Sequence, residues 1–313
     1  AIGDSAAPMA GGNTVAAEGF AAAPTGQYCN FPRGAYVVVD AATGKRRWQR
    51  SGSSAVASDR YVAGATGHGA FGVLDARTGT TVAKQISGEW LFGPVLVGDL
   101  TPRMFYAHDV RTGQVLWTRT MPFDGFGEVT DDSTLYVRGE QTGDETTAPV
   151  VAIDAETGNV RWKQWTTDTD GTLVRPGSTV VSVSSVADAF DSRTGRRLWH
   201  RSITPPAELY FGPPATSDDR DVYVYDHLHR LTTIDAASGT SRSVRLAGDV
   251  QGLRGASDGV VVVQLTDAIE GFDAHSGTVR WRWSFRAGMA GFGAVGDDGS
   301  LYIASGRTCR SSD

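Results

Sequence analysis

Short apolar runs recur along the chain, each closed by a polar turn and followed by a run in which apolar and polar residues alternate. One unit appears seven times: two to four apolar residues, Asp-x-x-Thr/Ser-Gly, then a short segment that usually carries Trp four residues after the Gly. The copies are VVVDAATGKRRW (37–48), GVLDARTGTTVA (72–83), YAHDVRTGQVLW (106–117), VAIDAETGNVRW (151–162), DAFDSRTGRRLW (188–199), TTIDAASGTSRS (232–243) and EGFDAHSGTVRW (270–281). Their aspartates, at 40, 75, 109, 154, 191, 235 and 273, are spaced by 35, 34, 45, 37, 44 and 38 residues. Between them lie further strand-like runs at 127–140, 178–184, 221–227 and 259–266. Repeats of this length with alternating patterning predict an all-β chain, a seven-bladed β-propeller of four-stranded antiparallel blades. Each Asp-x-x-Thr-Gly reads as a hairpin turn, the Asp and Thr side chains capping backbone N–H groups while the Gly takes positive φ.

Trp48, Trp117, Trp162, Trp199 and Trp281 fall at equivalent places on the outer strands, where a large flat side chain fills the wedge between blades. Ala83 and Ser243 stand there in the second and sixth copies. After the last copy, 292–306 has the pattern of two inner strands without the turn motif, and the first copy lacks its preceding strands. A composite blade of N- and C-terminal strands would therefore close the ring and leave no free sheet edge. Residues 1–27, rich in Ala, Gly, Pro and Thr, read as a linker or disordered tail, and 28–313 as one propeller domain. Cys29 and Cys309, the two cysteines, flank the two half-blades. Paired, they would close a loop of about 280 residues, which chain-entropy arguments value at roughly 4–5 kcal/mol, and would place the chain in an oxidising compartment. Two separate free thiols is the alternative.

The repeat VVAIDAETGNVRW and its relatives resemble the PQQ-like repeat of quinoprotein dehydrogenases, of an outer-membrane assembly lipoprotein, and of sensor regions of some actinobacterial Ser/Thr kinases. The resemblance spans about 31–306 and implies the fold, because the repeat describes blade geometry while function resides in loops. Quinoprotein dehydrogenases of this type carry eight blades, a Trp floor, Ca²⁺ and a vicinal disulfide. Here there are seven motifs and no adjacent cysteines, so neither quinone nor any other cofactor is expected.

The net charge of −6 and pI near 5.5 give no basic footprint, and nucleic acid is not an expected partner. Only Lys45, Lys84 and Lys163 are lysines, an Ala/Gly/Arg bias typical of high-GC, actinobacterial genomes. There is no long apolar run and no signal peptide, so a membrane enters only through a tether outside this sequence. A secreted chain, or one on the extracellular face of the membrane, is the expectation. Nucleophile-elbow, zinc-protease and phosphate-loop signatures are missing. His227 and His229 in DHLH, and Asp168 with Asp170 in TTDTDGT, are fragments of metal motifs that read as surface turns.

Where one outer strand leads into the next inner strand, Phe-Gly pairs recur, as in EWLFGP, GFGE, LYFGP and GFGA. Residues that break this local pattern are the candidate ligand-binding set: Trp90, Glu128, Arg175, Tyr210 and Arg254, with His68 and His227 from neighbouring loops. They mix aromatic, acidic and basic groups, as a channel-mouth pocket for a small polar ligand or a peptide would. The expected function is a ligand-binding or protein-interaction module, a sensor or scaffold without redox activity. The alternative is a secreted lyase or hydrolase working through Glu128 or Glu208 with a His or Arg partner.

Overall fold

The computed structural model describes residues 9–11, 14–19, 35–40, 46–57, 60–66, 71–131, 133–140, 147–167, 171–209, 213–248, 250–284, 289–295 and 301–307, and every regular element in them is a β-strand. One seven-stranded meander comprises β1 (Met9–Gly11), β2 (Thr14–Gly19), β3 (Ala35–Asp40), β4 (Arg46–Ala57), β5 (Tyr61–Thr66), β6 (Phe71–Asp75) and β7 (Thr81–Lys84), with β4 long enough to serve as the outer strand of one half and the inner strand of the next. Five four-stranded sheets follow. They are β8 (Trp90–Phe92), β9 (Val95–Thr101), β10 (Met104–Asp109), β11 (Val115–Thr120); β12 (Asp124–Thr130), β13 (Thr134–Glu140), β14 (Ala148–Asp154), β15 (Val160–Thr166); and β16 (Thr172–Val174), β17 (Thr179–Val183), β18 (Val186–Asp191), β19 (Arg197–Ser202). The last two are β20 (Ala215–Ser217), β21 (Asp221–Tyr225), β22 (Arg230–Asp235), β23 (Ser241–Arg245) and β24 (Val250–Ser257), β25 (Val260–Leu265), β26 (Ala268–Asp273), β27 (Val279–Ser284). A two-stranded sheet, β28 (Met289–Val295) and β29 (Leu301–Arg307), ends the described chain.

By compactness the chain divides into two units, one of residues 1–99, 106–118 and 284–313, the other of 100–105 and 119–283. In the second unit the inner strands β12, β16, β20 and β24 are neighbours in that order. Its apolar core is a series of seams between sheets. Tyr136, Val150 and Ala152 meet Leu173, Val180 and Phe190 across one seam, and Tyr225 and Leu231 meet Val261, Val263 and Phe272 across another.

Two expectations are corrected at the N-terminus. Residues 9–11 and 14–19, read as tail, are strands, and β2 pairs with β3 through Val15↔Val39 and Ala17↔Val37. The apolar strand β3 needs a neighbour for its backbone groups, and the N-terminal segment supplies it in place of a C-terminal strand. β28 pairs with β29, and β29 lies against β2.

The motif turns form as their chemistry requires. In the Asp75 turn, Oδ1 accepts the N–H groups of Arg77 at 3.0 Å and Thr78 at 2.8 Å, and Gly79 sits at φ 70°. Asp154, Asp191 and Asp235 repeat it with Thr157, Thr194 and Ser238. Three of these turns, those of Asp75, Asp191 and Asp235, also receive the Trp of the preceding repeat. The indole N–H of Trp48 donates to Ala76 O at 2.9 Å, that of Trp162 to Ser192 O at 2.7 Å and that of Trp199 to Ala236 O at 2.8 Å. The rings rest on Gly79, Gly195 and Gly239, where an added Cβ would come within 2.9, 2.7 and 2.8 Å of them. Glycine is thus demanded twice, by φ and by the indole. Trp117 is half-buried on β11, while Trp281 packs on Gly271 of its own sheet.

The sixth copy departs from the motif alignment. A bulge after the motif sets Trp162 opposite Ala152 and Trp199 opposite Ala189, but β22 and β23 pair regularly, with Thr233↔Arg242 and Leu231↔Val244. Arg242, not Ser243, therefore holds the Trp register, Thr233 Oγ1 donates to Ala274 O, and Val244 lies against Gly277.

Truncating an indole removes both packing and a hydrogen bond. Trp162→Ala should lower urea-unfolding stability by about 3–5 kcal/mol and Trp162→Phe by about 1 kcal/mol. Near-wild-type stability in the alanine variant would refute its place in the seam.

Candidate interaction site

Of the candidate ligand-binding residues, His68 and Tyr210 lie outside the described residues, as do Cys29 and Cys309. Glu128 is on β12 opposite Val137, beside a bulge, and its side chain is outside the description. Trp90 opens β8 opposite Val97 and is half-buried.

Arg175, Arg254 and His227 all belong to the second unit, yet they do not converge. Arg175 follows β16 at the end of the sheet where the motif turns lie. Its Nε donates to Thr130 O at 2.9 Å and one terminal nitrogen to Gly177 O at 2.5 Å. The guanidinium ties β12 to the β16–β17 turn. Arg254, midway along β24, donates through Nε and a terminal nitrogen to Gln264 Oε1, the Nε contact at 2.6 Å. Burial pulls its pKa down to about 10. His227 belongs to the β21–β22 connection, at the opposite end from Arg175, with Nδ1 3.3 Å from Pro205 O. That loop is built around Asp226, which is buried and accepts the N–H groups of Leu228 and Arg230 as well as Arg230 Nε at 2.9 Å.

A polar cluster that motif reading passed over lies in the seam between the β12–β15 and β16–β19 sheets. Register places Ser182, Asp188 and His200 side by side on one face. Arg138 Nε, from β13, donates to Ser182 Oγ at 3.1 Å. Asp188 is fully buried, its Oδ1 2.9 Å from His200 Nδ1 and 3.4 Å from Arg197 Nε, while its Oδ2 has no hydrogen-bond partner. A carboxylate acceptor at Nδ1 requires the proton there, which turns Nε2 of the partly exposed imidazole outward. The available signal was Asp188 itself, a charged residue in the apolar run before the fifth motif.

Two Tyr–Asp latches brace neighbouring seams. Tyr136 Oη donates to Asp131 Oδ2 at 2.5 Å and lies 3.3 Å from Ser192 O. Tyr223 Oη donates to Asp218 Oδ2 at 2.7 Å, and the same oxygen accepts Gly259 N–H from the next sheet. Burial and the Asp131 bond push the Tyr136 phenol up to about 12. Burial alone would raise both carboxylates, but hydrogen bonds from tyrosine hydroxyls and backbone N–H groups outweigh it and hold them below the ordinary Asp value.

The outer strands β15, β19, β23 and β27 (VRWKQWT, RLWHRS, SRSVR, VRWRWS) carry eight Arg or Lys and no Asp or Glu. Apolar side chains stand among them: Val160, Trp165, Val279 and Trp283 are 39%, 39%, 48% and 40% exposed. Lys163 Nζ sits 4.4 Å from the centre of the Trp165 ring, a cation–π contact.

Against known proteins, the sequence profile described as outer membrane protein assembly factor BamB matches residues 103–185 and 182–308. No curated protein matches the chain by sequence. Among solved structures, BamB from Moraxella catarrhalis is 19% identical with a TM-score of 0.52, covering 88% of this chain and 80% of that one. The computationally designed Ika8 protein is 16% identical with a TM-score of 0.61, covering 97% of each chain. A europium-containing methanol dehydrogenase is 13% identical with a TM-score of 0.59, covering 95% of this chain and 81% of that one. At these identities the likeness is one of fold, a propeller of four-stranded antiparallel sheets.

Two tests follow. Arg175→Ala should cost about 1–3 kcal/mol of stability through its two orphaned carbonyl acceptors, measured by urea unfolding; unchanged stability would refute the tie. Asp131 and Asp218 have folded pKa values below the unfolded value of about 3.9, so their contribution is complete above that pH and is lost as pH falls through the folded values. Between about pH 5 and pH 2, Asp131→Asn should show a shallower loss of stability than wild type.

Proposed function

Because the chain belongs to the family described as outer membrane protein assembly factor BamB, we propose that it is a protein-interaction scaffold of the propeller class. The observation that carries this reading is the outer surface of the second unit. Exposed Trp165, Trp283, Val160 and Val279 alternate there with arginines, the mixture of anchors and charge that protein interfaces favour. Groups inside the seams are committed to holding sheets together: motif aspartates cap turns, and Arg175 ties two strands.

The finer reading is a closed ring of seven blades, secreted or on the extracellular face of the membrane, acting as sensor or scaffold and without redox activity of its own. Contact between β29 and β2 supports closure, since it brings strands from the two ends of the sequence together. Cys309 follows β29 by two residues and Cys29 lies in the β2–β3 connection, which supports a disulfide between them. A polar ligand at the channel mouth stays part of this reading through Trp90, Glu128, Arg175, Tyr210, Arg254, His68 and His227.

In-cell cross-linking of the protein in its own envelope should return a reproducible heteromeric adduct with links on the outer strands, lost in a Trp165→Glu, Trp283→Glu variant that melts with wild type. Recovery as an uncross-linked monomer would overturn the scaffold reading. Added PQQ with Ca²⁺ should give no dye-linked alcohol or sugar oxidation, and a non-reducing digest should yield the Cys29–Cys309 peptide pair. Turnover would remove the redox clause, and two free thiols the disulfide.

A further inference from the structure

The eight cations of the outer strands are not equivalent. Arg161 pairs with Asp154 at 2.7 Å, Arg280 with Asp273 at 2.5 Å, Arg282 with Glu270 at 2.5 Å, and Arg197 reaches Asp188 at 3.4 Å. Lys163 is stacked on Trp165, and Arg201 reaches Ser238 O at 3.5 Å. On β23, by contrast, neither Arg242 nor Arg245 forms an ion pair with any described carboxylate, and both are exposed.

Register explains the difference. Arg161, Arg280 and Arg242 all stand three residues after the motif Gly. In the β14–β15 pair the bulge sets Arg161 between the rungs Ile153↔Val160 and Ala152↔Trp162, where it turns back onto Asp154. Without that bulge, Arg242 becomes a regular rung opposite Thr233, and Asp235 is left to cap its own turn and to face Arg220 at 3.9 Å. Arg245 stands opposite Arg230, whose charge is already matched by buried Asp226 at 2.9 Å. Two cations directly opposite each other repel, so an anion beside Arg245 is favoured.

β23 is also the outer edge of its sheet and pairs on one side only, with β22. Its residues Ser241 and Ser243 are small and exposed, and it carries no Trp of its own. An extended backbone can satisfy the open N–H and C=O groups of such an edge, which a lipid surface cannot.

We infer that β23 is the docking edge for an acidic, extended polypeptide segment of a partner, which adds as a fifth strand and sets carboxylates against Arg242 and Arg245. This rests on the scaffold reading and names the chemistry of one partner. Because Arg242 and Arg245 lie three apart on a strand of period two, they face opposite sides of the sheet, and the segment needs acidic residues at the same spacing. Arg201, exposed on β19, adds to the positive charge that steers it.

The probe is a fluorescein-labelled octapeptide, TVEVTEVT, with TVKVTKVT as its cationic counterpart. At about 20 mM salt the acidic peptide should bind saturably by anisotropy, weaken at about 0.5 M, and slow amide exchange across Ser241–Arg245. Arg242→Glu with Arg245→Glu, or the double alanine variant should the first not fold, should weaken binding by at least about tenfold with an unchanged melting temperature. Lys84→Glu, on β7, should leave it intact. Equal binding of both peptides, binding indifferent to Arg242 and Arg245, or no protection of β23 overturns the assignment. So does Arg242/Arg245-dependent binding to phosphatidylglycerol vesicles with none to the acidic peptide. Envelope adducts that persist while the peptide fails leave the scaffold reading standing and remove only this edge.

Discussion

The seams on either side of the β16–β19 sheet depend on one recurring contact, an indole from one sheet lying flat on the turn glycine of the next while its N–H donates to a carbonyl of the same turn. It joins two requirements that are separate in most β-proteins, packing between sheets and satisfaction of a turn's backbone. The glycine must be there for φ, and the space it leaves is what the ring occupies, as Trp162 on Gly195 and Trp199 on Gly239 illustrate. The aspartate that begins the turn holds the carbonyl in position by capping the following N–H groups. A change at any of the three residues is therefore felt by two sheets at once.

That dependence explains what could be read without coordinates. The repeat announces itself in Asp, Gly and Trp because one contact needs all three, so the all-β class and the inter-sheet role of Trp48, Trp162 and Trp199 were legible. Pairing at the chain's beginning was not. Thr14–Gly19 is built of small residues whose strand character comes from β3 beside it, not from its own pattern. The surroundings of the candidate site were not legible either: nothing in the motif shows that Arg175 binds backbone carbonyls of β12 and of the β16–β17 turn. Position in a motif says where a side chain starts, and on a twisted sheet says little about which end or face it reaches.

Asp188 shows the complementary case. A carboxylate removed from water needs compensation, and His200 and Arg197 supply it on one oxygen only. Its partners come from the adjacent strand of the same sheet, and Ser182 beside it is engaged by Arg138 from the sheet before. No linear spacing encodes that meeting, because the seam forms only after both sheets have.

The sixth repeat turns the same logic around. With Ser243 at the position usually held by Trp, a bulge would turn Ser243 and Arg245 toward the seam. The regular ladder instead presents Val244 to Gly277 and to the apolar cluster around Leu231, and the apolar choice prevails. The consequence passes from packing to charge. Losing the bulge moves Arg242 off the motif aspartate that its counterpart Arg161 finds, and leaves an edge strand whose two cations form no ion pair with a described carboxylate. The second copy, with Ala83, keeps its bulge, so it is the missing indole together with Val244 that converts the sixth outer strand into one whose charges and backbone both look outward, on a chain whose net charge is −6. Selection for folding alone would restore the aromatic or a carboxylate at little cost, since five of the seven copies already encode the Trp. Keeping neither is what a strand reserved for another polypeptide would require.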